Sequence, residues 1–302
     1  MGTRSPMRAF LLLLTLAISA PLTAAPQIAG TLPLSVMSFN IRYGTAQDGE
    51  NHWTRRQDHL LEVIADARAD VIGLQEALDD QIQTIVTQLP MFAAIGVGRD
   101  DGKTRGEYAA ILYRRDRFRV SQAGTFWFSE TPDVVASRSW GNTITRICTW
   151  ARLIDRDGRA FWVYNVHLDH QSQPSRERSA DLLATRVAAR PAGEPAIVTG
   201  DFNAGEDNPA VRRLVTAQGT AAPLLLDTFR ALHPSETVVG TFTGFTFGKT
   251  DGDKIDYVMV TPDVVVREAA IVRTSRDGRY PSDHFPVVAT VQLPAGSAPP
   301  RR

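Results

Sequence analysis

The chain has 302 residues, of which 43% are hydrophobic and 22% charged, a composition typical of a globular protein with a large core. Its 33 basic and 33 acidic residues balance, so the overall basic excess of nonspecific nucleic-acid binders is absent, although a local basic patch remains open. The single cysteine, Cys148, excludes an intrachain disulfide. It stands in an alternating strand pattern, which predicts a buried apolar role.

The two ends of the chain differ from the rest. Arg4 and Arg8 precede an apolar run over residues 9–18, and small residues follow up to Ala25. This order is typical of a signal peptide covering residues 1–25, and the apolar run is too short to span a bilayer. We therefore expect an exported protein, periplasmic or secreted, with no transmembrane segment in the mature chain. Residues 294–302 are rich in Pro and Ala and are expected to form a disordered tail.

In chain order, hydrophobic periodicity predicts alternating strands and helices, followed by a strand-rich middle. Strands are predicted over residues 34–41, 71–76, 107–113, 125–128, 143–154, 161–166, 196–199, 255–260 and 287–293, and helices over residues 56–67, 79–89, 175–190 and 209–218. Asp157-Gly158 predicts a hairpin turn. The charged, Gly-rich residues 96–106 predict either a mobile rim of a cleft or a solvated surface loop.

The motif that organises this pattern is Gly200-Asp201-Phe202-Asn203, which directly follows the predicted strand over residues 196–199. If the chain stays extended, Asp201 and Asn203 project on the same side. Taken alone, the motif favours a structural Asx turn over a functional site.

Polar residues at the ends of other predicted strands favour a functional interpretation. They are Asn40, Glu76, His167, Asp283 and His284, with Asp256 near the start of a further strand. Each alone has an ordinary structural explanation, but two histidines and four carboxylates at strand ends are more easily explained by one hydrolytic metal site. Oxygen ligands suit Mg²⁺, Mn²⁺ or Ca²⁺ better than Zn²⁺.

The residue types also indicate a division of roles. Asp201 can activate water, and His284 can bridge phosphate oxygens as an imidazolium. Such a histidine needs a carboxylate to fix its orientation, for which Asp256 is the candidate. Glu107 is the corresponding candidate for His167.

These motifs together resemble those of the endonuclease/exonuclease/phosphatase superfamily, the deoxyribonuclease I-like proteins, and most closely its exported bacterial members. The resemblance covers residues 33–293 as one domain and rests on Ser38-Phe39-Asn40-Ile41, Leu74-Gln75-Glu76, Asn165-Val166-His167-Leu168, Gly200-Asp201-Phe202-Asn203, Ile255-Asp256-Tyr257 and Ser282-Asp283-His284-Phe285-Pro286. It implies an α/β fold, a four-layer sandwich of two mostly antiparallel sheets flanked by helices.

The resemblance also implies roles for individual residues. Glu76 would bind the divalent metal with Asn40 and Asp283 beside it, and Asn203 would help to hold the phosphate. His167 and His284 would face the scissile phosphate. Abasic-site endonucleases of the superfamily carry an acid where this chain has Arg42, and they lack a match to His167. The chain is therefore nearer the deoxyribonuclease and sphingomyelinase branch.

Three functions follow as hypotheses: a metal-dependent phosphoesterase of small or lipid-derived substrates, a secreted nuclease, and a noncatalytic binding module. Arg105 and Arg146 are expected to bind the substrate. They belong to a set of residues that could supply a nuclease with a basic patch: Arg99, Lys103, Arg105, Arg138, Arg146, Arg276 and Arg279. Phe126-Trp127-Phe128 is expected to be core rather than a membrane-binding hairpin. We expect a monomer.

Overall fold

The computed structural model describes residues 31–217, 219 and 222–294. The predicted signal peptide and residues 295–302 of the predicted tail lie outside the described residues. The strands are β1 (Leu32–Asn40), β2 (Val71–Ala77), β3 (Phe92–Ile95), β4 (Tyr108–Arg114), β5 (Phe118–Trp127), β6 (Ile147–Asp155), β7 (Ala160–His167), β8 (Ala196–Asp201), β9 (Leu226–Asp227), β10 (Asp256–Val260), β11 (Val265–Ile271) and β12 (Val287–Leu293). The helices are α1 (Trp53–Asp66), α2 (Asp79–Gln88), α3 (Gln173–Ala188), α4 (Pro209–Val215) and α5 (Thr228–Leu232), with a short 3₁₀ helix at Gly49–Asn51.

The strands form two six-stranded sheets. Sheet 1 has the order β11-β12-β1-β2-β4-β3, and sheet 2 has the order β5-β6-β7-β8-β10-β9. Each sheet has one parallel pair at its centre, β1 with β2 and β7 with β8, and its other pairs are antiparallel. A parallel pair needs a crossover connection, which α1 and α3 supply. The predicted sandwich of two mostly antiparallel sheets is confirmed.

Three apolar layers hold the sandwich together. The inner faces of the two sheets pack on each other through residues such as Val36, Ile111 and Val163. Helices α1 and α2 cover the outer face of sheet 1, and α3 and α4 cover that of sheet 2. Because the central strands are covered on both faces, they read as continuous apolar runs. The predicted aromatic core segment is buried at Phe126 and Phe128, which are 1% and 0% exposed, and Cys148 is also fully buried.

The register of the strands brings distant polar residues together. His167 at the end of β7 is paired with Asp201 at the end of β8, and Asp201 is paired on its other side with Asp256 at the start of β10. In sheet 1, Asn40 at the end of β1 pairs with Gln75 of β2, next to Glu76. The polar residues at the ends of the two parallel strand pairs therefore lie at the same edge of the sandwich.

A buried polar contact fixes one sheet against the other below this edge. Gly73 allows the sheets to approach closely, since a Cβ atom there would lie 2.0 Å from Thr199 Oγ1. Beside it, Gln75 Nε2 donates to Asn165 Oδ1 at 2.6 Å, and the backbone N–H of Gly200 donates to Ser38 Oγ at 2.9 Å. Hydrogen bonds in this dry layer stabilise one relative position of the sheets.

Several elements differ from the sequence prediction. Helix α1 begins at Trp53, earlier than predicted, because His52 caps it by accepting from the backbone N–H of Thr54. Strand β8 continues through Gly200 to Asp201, where a Cβ atom at Gly200 would lie 2.4 Å from Val166 Cγ2. Strands β3, β9 and β11 and helix α5 are absent from the prediction, since they are short or, like β11, largely exposed and weakly periodic.

Candidate active site

A cleft of about 720 Å³ opens at the edge where the polar strand ends meet. Every predicted site residue lines it except Asn40, Asp256 and Arg105. Among the eight non-glycine residues with positive φ in the described chain, four line this cleft: Arg42, Glu76, Asn203 and Phe245. Such backbone strain costs about 1–3 kcal/mol per residue and persists where it positions functional groups.

Glu76 owes its position to a β-bulge. The pairing of β2 with β4 shifts register between Gln75 and Ala77, and Glu76 in between has φ of +62°. Its carboxylate accepts from Asn40 Nδ2 at 3.1 Å, and the same amide nitrogen donates to Asp201 Oδ2 at 2.9 Å. Asn40 thus links a carboxylate of sheet 1 to one of sheet 2.

Asp201 lies at the centre of the site and is 1% exposed. Its Oδ2 atom is 3.6 Å from His167 Nε2 and 3.8 Å from His284 Nε2. Burial, then the neighbouring Asp256, raises the pKa of Asp201 to about 7. A carboxylate with a pKa near neutrality suits general-base chemistry better than an ordinary surface aspartate.

Asp201 and Asn203 form an Asx turn and also line the cleft, so both interpretations of this motif apply. Asn203 donates its backbone N–H to Asp201 Oδ1 at 2.8 Å, which is an Asx turn, and its φ is +47°. The segment is therefore not extended at Asn203, and the same-side argument from strand spacing was wrong there. Both residues nevertheless line the cleft.

His284 and Asp256 form a buried pair. His284 Nδ1 and Asp256 Oδ2 are 2.9 Å apart, and the two residues are 4% and 0% exposed. Burial lowers the pKa of His284, but the carboxylates of Asp256, Asp201 and Asp283 together raise it well above its ordinary value. This environment favours the imidazolium form of His284, and the contact of its Nδ1 atom with Asp256 fixes the orientation of the ring.

His167 has the opposite electrostatic environment. Burial, then the guanidinium groups of Arg146 and Arg99, lowers its pKa well below the ordinary value, which favours the neutral ring. Its Nδ1 atom lies 3.7 Å from Glu107 Oε2, too far for a hydrogen bond. Glu107 instead binds Arg99 at 2.6 and 2.8 Å. His167 Nδ1 therefore does not donate the predicted orienting hydrogen bond to Glu107, because Arg99 occupies that carboxylate.

The predicted metal ligands are only partly brought together. Ligand atoms of Glu76, His167 and Asp201 lie within 4.8 Å of one another, as do those of Asp201, Asp256 and His284. Asn40 turns its oxygen away to accept from the backbone N–H of Arg42, so it directs amide hydrogens at the carboxylates. Carboxylate oxygens of Glu76 and Asp201 fit a hard divalent cation.

Arg42 separates Asp283 from Glu76. Its guanidinium lies 3.8 Å from Asp283 Oδ2 and 3.9 Å from Glu76 Oε2, and it binds Asp48 at 3.0 and 3.1 Å. Asp283 consequently pairs with a cation of the protein.

The two predicted substrate-binding arginines differ in position. Arg146 is 3% exposed and lines the cleft, where its Nη2 atom lies 2.8 Å from His170 Nδ1. Arg105 is outside the cleft: its side chain is 76% exposed and its Nε atom lies 3.4 Å from Asp101. From residues 96–106, it is Arg99 that reaches the cleft. That segment folds on itself through backbone hydrogen bonds such as Asp100 to Arg105, which explains why Arg105 points away.

Arg56 is a site residue that the sequence argument missed. It is 4% exposed and donates to the backbone carbonyls of Asn51, Ile41, Arg42 and Pro281 at 2.7–3.0 Å. The carbonyls of Ile41 and Arg42 follow Asn40 and that of Pro281 precedes Asp283, so Arg56 links the two segments. Its spacing of three from Trp53 and four from Leu60 places it on the buried face of α1, a signal available in the sequence.

Aromatic rings line the side of the cleft next to His284. Phe242 is 43% exposed, and its ring centroid lies 5.0 Å from that of His284. Phe245 also lines the cleft. The Gly- and Thr-rich context of these residues predicts a loop, but nothing in it indicates that the loop pairs with the strand-end segment at Asp283 through the backbone of Thr243.

The profile of the Endonuclease/Exonuclease/phosphatase family matches residues 37–284, most of the described chain. An uncharacterised protein of Acanthamoeba polyphaga mimivirus is 25% identical over 181 residues, which cover 56% of this chain and 67% of that protein. Human nocturnin, at 19% identity and a TM-score of 0.67, shares the fold.

Solved bacterial structures are more similar. A family protein from Bacteroides thetaiotaomicron is 31% identical with a TM-score of 0.80, covering 87% of this chain and 98% of that one. One from Bacteroides vulgatus is 35% identical with a TM-score of 0.78, covering 87% and 99%. A mannosyl-6-phosphatase from Bacteroides thetaiotaomicron is 33% identical with a TM-score of 0.77, covering 85% and 99%. Together with the cleft geometry, these matches show that the chain belongs to the endonuclease/exonuclease/phosphatase family, whose members hydrolyse phosphoesters.

Proposed function

We propose that the chain is a divalent-metal-dependent phosphoesterase that hydrolyses a phosphate ester of a small molecule by attack of an activated water. The observation that carries this proposal is the arrangement around Asp201, whose Oδ2 atom has an imidazole within 4 Å on either side and Asn40 at 2.9 Å. A base, a fixed cation and a set of hard oxygen ligands in one cleft are the parts that phosphate-ester hydrolysis requires.

Each protein group has one proposed role. Asp201 orients the attacking water and accepts a proton from it. His284, held cationic, donates its Nε2 hydrogen to a phosphate oxygen as negative charge develops there. His167 and Asn203 bind the remaining phosphate oxygens, and Arg146 binds an anionic group of the substrate.

Glu76 and Asp201 would hold the divalent cation, with Asn40 fixing their separation. Mg²⁺ is the proposed ion, and Mn²⁺ or Ca²⁺ has the same preference for oxygen ligands. When bound, such an ion supplies Lewis-acid stabilisation of the charge on the phosphate. Asp283, paired with Arg42, is proposed to support this centre from outside the metal's ligand set.

Two observations favour a small substrate. The cleft, at about 720 Å³, lies in the range of small-molecule sites. The similarity to a mannosyl-6-phosphatase at 33% identity supports a phosphomonoester, such as a phosphorylated sugar, over a nucleic acid. We further propose that the protein is exported, on the strength of its first 25 residues, and that it acts as a monomer. Among the described residues, no helix is long and apolar enough to cross a membrane.

A panel of substrates tests the function. Sugar phosphates, a nitrophenyl phosphodiester, and single- and double-stranded DNA and RNA would be incubated with the protein, with either Mg²⁺ or EDTA. We expect Mg²⁺-dependent release of phosphate from the sugar phosphates and no turnover with EDTA. Preferential cleavage of DNA or RNA would instead support the nuclease hypothesis, and inactivity on every substrate would support a noncatalytic binding module.

A further inference from the structure

Arg42 is held in a left-handed backbone conformation in the wall of the cleft. Its φ is +56°, which is unfavourable for a residue other than glycine. Three buried side chains fix its backbone: Asn40 accepts from its N–H at 3.0 Å, and its carbonyl accepts from Arg56 at 2.9 Å and from Gln81 at 3.1 Å. The direction in which the Arg42 side chain leaves the backbone is therefore set by the fold.

The guanidinium of Arg42 lies among three carboxylates. Its Nε and Nη2 atoms donate to the two oxygens of Asp48 at 3.0 and 3.1 Å, which fixes the plane of the group. Its Nη1 atom lies 3.9 Å from Glu76 Oε2, and its Nε atom lies 3.8 Å from Asp283 Oδ2. The ring of Tyr43 supports the guanidinium from one side, with its centroid 4.7 Å away. Three acids thus share one cation of the protein.

A cation in this position has the electrostatic effect of a bound metal ion. Carboxylates that converge on one point repel one another unless a positive charge lies between them. That charge is supplied either by a metal ion or by a side chain. Arginine keeps its charge in proteins, and a chelator does not remove it. The guanidinium of Arg42 is therefore a permanent counterion for its three acids.

The charges at this end of the cleft match one divalent cation. The acids and the protein cations among them are Asp48, Glu76, Asp201, Asp256 and Asp283 against Arg42, Arg56 and His284. The arginines at the other end have carboxylates of their own, in contacts of Arg99 and Arg146 with Glu107, Asp169 and Asp100. Five acids and three cations leave two negative charges. One divalent cation held by Glu76 and Asp201 would balance them, whereas a second would leave an excess of positive charge.

The acids around Arg42 would suit a metal ion if the guanidinium were removed. Asp48, Glu76 and Asp283 offer hard oxygen atoms, which Mg²⁺ and Mn²⁺ prefer. All three lie within 4 Å of the guanidinium that they share. Because Mg²⁺ in proteins usually keeps several of its waters, an ion in the place of the guanidinium would contact these acids directly or through bound water.

From this arrangement we propose that Arg42 is a built-in substitute for a second metal ion. Its guanidinium takes the position among the three acids that a second divalent cation would otherwise occupy, and it restricts the cleft to one such ion. This inference rests on the proposed function and specifies its metal centre as one divalent cation beside a fixed protein cation. It assigns Arg42 to the metal centre rather than to substrate binding, because its hydrogens are already directed at carboxylates.

The number of bound metal ions tests this inference without turnover. Mn²⁺ is titrated into the metal-free full chain, and the free ion is counted by its electron paramagnetic resonance signal. We expect one bound Mn²⁺ in the wild type. Arg42→Met, which keeps an unbranched side chain without the charge, should bind two, the second with a Kd below about 1 mM, as in weak oxygen-ligand sites. Two ions in the wild type, or one in the folded variant, would overturn the inference.

Further variants locate the second ion and control for the loss of charge. Arg42→Lys keeps the charge and should bind one Mn²⁺. Arg105→Met is the matched control, because Arg105 is 76% exposed and faces Asp101 outside the cleft, and it should also bind one. Adding Asp48→Asn to Arg42→Met should weaken only the second ion, by about tenfold or more. A second ion in Arg42→Lys or Arg105→Met, or one unaffected by Asp48→Asn, would contradict the assignment.

Circular dichroism melts establish that each variant is folded, and Arg42→Gln replaces Arg42→Met if the latter is not. Comparison with the substrate panel separates failure of this inference from failure of the proposed function. If no phosphoester is hydrolysed but the folded Arg42 variant gains a second Mn²⁺, the assignment of Arg42 stands while the proposed function fails. Mg²⁺-dependent hydrolysis by a wild type that binds two ions would confirm the function and overturn the inference.

Discussion

The pair formed by His284 and Asp256 leads to a quantitative prediction about turnover. Asp256→Asn keeps the shape of the side chain but removes the charge 2.9 Å from His284 Nδ1. At an effective dielectric constant of about 20, two unit charges at 4 Å interact by about 4 kcal/mol, which sets the scale of the stabilisation that Asp256 gives to the His284 cation. Since about 1.4 kcal/mol corresponds to a tenfold change in rate, we expect kcat to fall by about two to three orders of magnitude.

The pH profile of this variant has a definite sign. The three carboxylates raise the pKa of His284 against the effect of burial, and Asp256 is the largest contributor among them. Without its charge the pKa of His284 falls, so the cation is lost at a lower pH. Activity that requires the imidazolium should therefore decline at a lower pH in the variant than in the wild type. Stopped-assay measurements of kcat between pH 5 and 9 would record this shift of the alkaline side of the pH profile.

A double-mutant cycle decides whether the two residues act together. If Asp256 works only through His284, adding Asp256→Asn to His284→Ala should do little further harm. Asp155→Asn is the control: Asp155 is also buried and binds an arginine, but it is the last residue of β6, next to the turn that leads to β7. This control should lower the melting temperature without lowering kcat. Fully additive losses in the double mutant would refute the role of Asp256 in orienting His284. An unchanged alkaline side of the pH profile in Asp256→Asn would refute it as well.

Three further predictions concern the metal, the pH dependence of stability and the packing of the sheets. Glu76→Gln should raise the Mg²⁺ concentration needed for half-maximal activity at least tenfold. The control Glu268→Gln on β11 should leave that concentration unchanged. If the Mg²⁺ titration of Glu76→Gln matched that of the wild type, Glu76 would not be a metal ligand. Burial raises the pKa of Glu107 from about 4.5 to about 7 in the folded protein, so the folded state binds the proton more tightly and stability is lost as pH rises between those values. The free energy of unfolding of Glu107→Gln, relative to that of wild type, should therefore rise between pH 4.5 and pH 7. The rise is at most about 3 kcal/mol, at 1.4 kcal/mol per pKa unit. A difference in urea midpoints that does not change with pH would contradict this. Gly73→Ala should destabilise the protein by more than about 2 kcal/mol, because its methyl group would meet Thr199 and Asn165 of the other sheet; a urea midpoint equal to that of wild type would show that the sheets can separate there.

The central strands and most polar strand ends were predictable from sequence, for a shared physical reason. Strands such as β2 and β8 are buried on both faces and read as continuous apolar runs, and each run stops where a polar side chain enters the cleft. The hydrogen-bonded pairing of His284 with Asp256 also follows from chemistry, since a buried imidazolium requires a carboxylate.

The features that escaped prediction depend on contacts between distant segments. Nothing local distinguishes Arg105 from Arg99, and only the folding of residues 96–106 decides which one faces the cleft. The partner of Glu107 was also unpredictable from the sequence, because its hydrogen bonds with Arg99 depend on how residues 96–106 fold. The positive φ of Glu76 arises from a bulge between β2 and β4, which alternation within one strand cannot indicate.

The division of the cleft between two sheets has a mechanical consequence. Glu76 belongs to sheet 1 and Asp201 to sheet 2, and their relative position depends on the buried contact of Gln75 with Asn165 below them. Sliding of one sheet over the other by a fraction of an ångström would leave each sheet intact and still change the spacing of the two carboxylates. A cation bound by both would act as a cross-link against that motion, so amide hydrogens of β1, β2, β7 and β8 should exchange more slowly when it is bound. The spacing of these two carboxylates is therefore a property of the interface between the sheets, and it can change through shear while the fold persists.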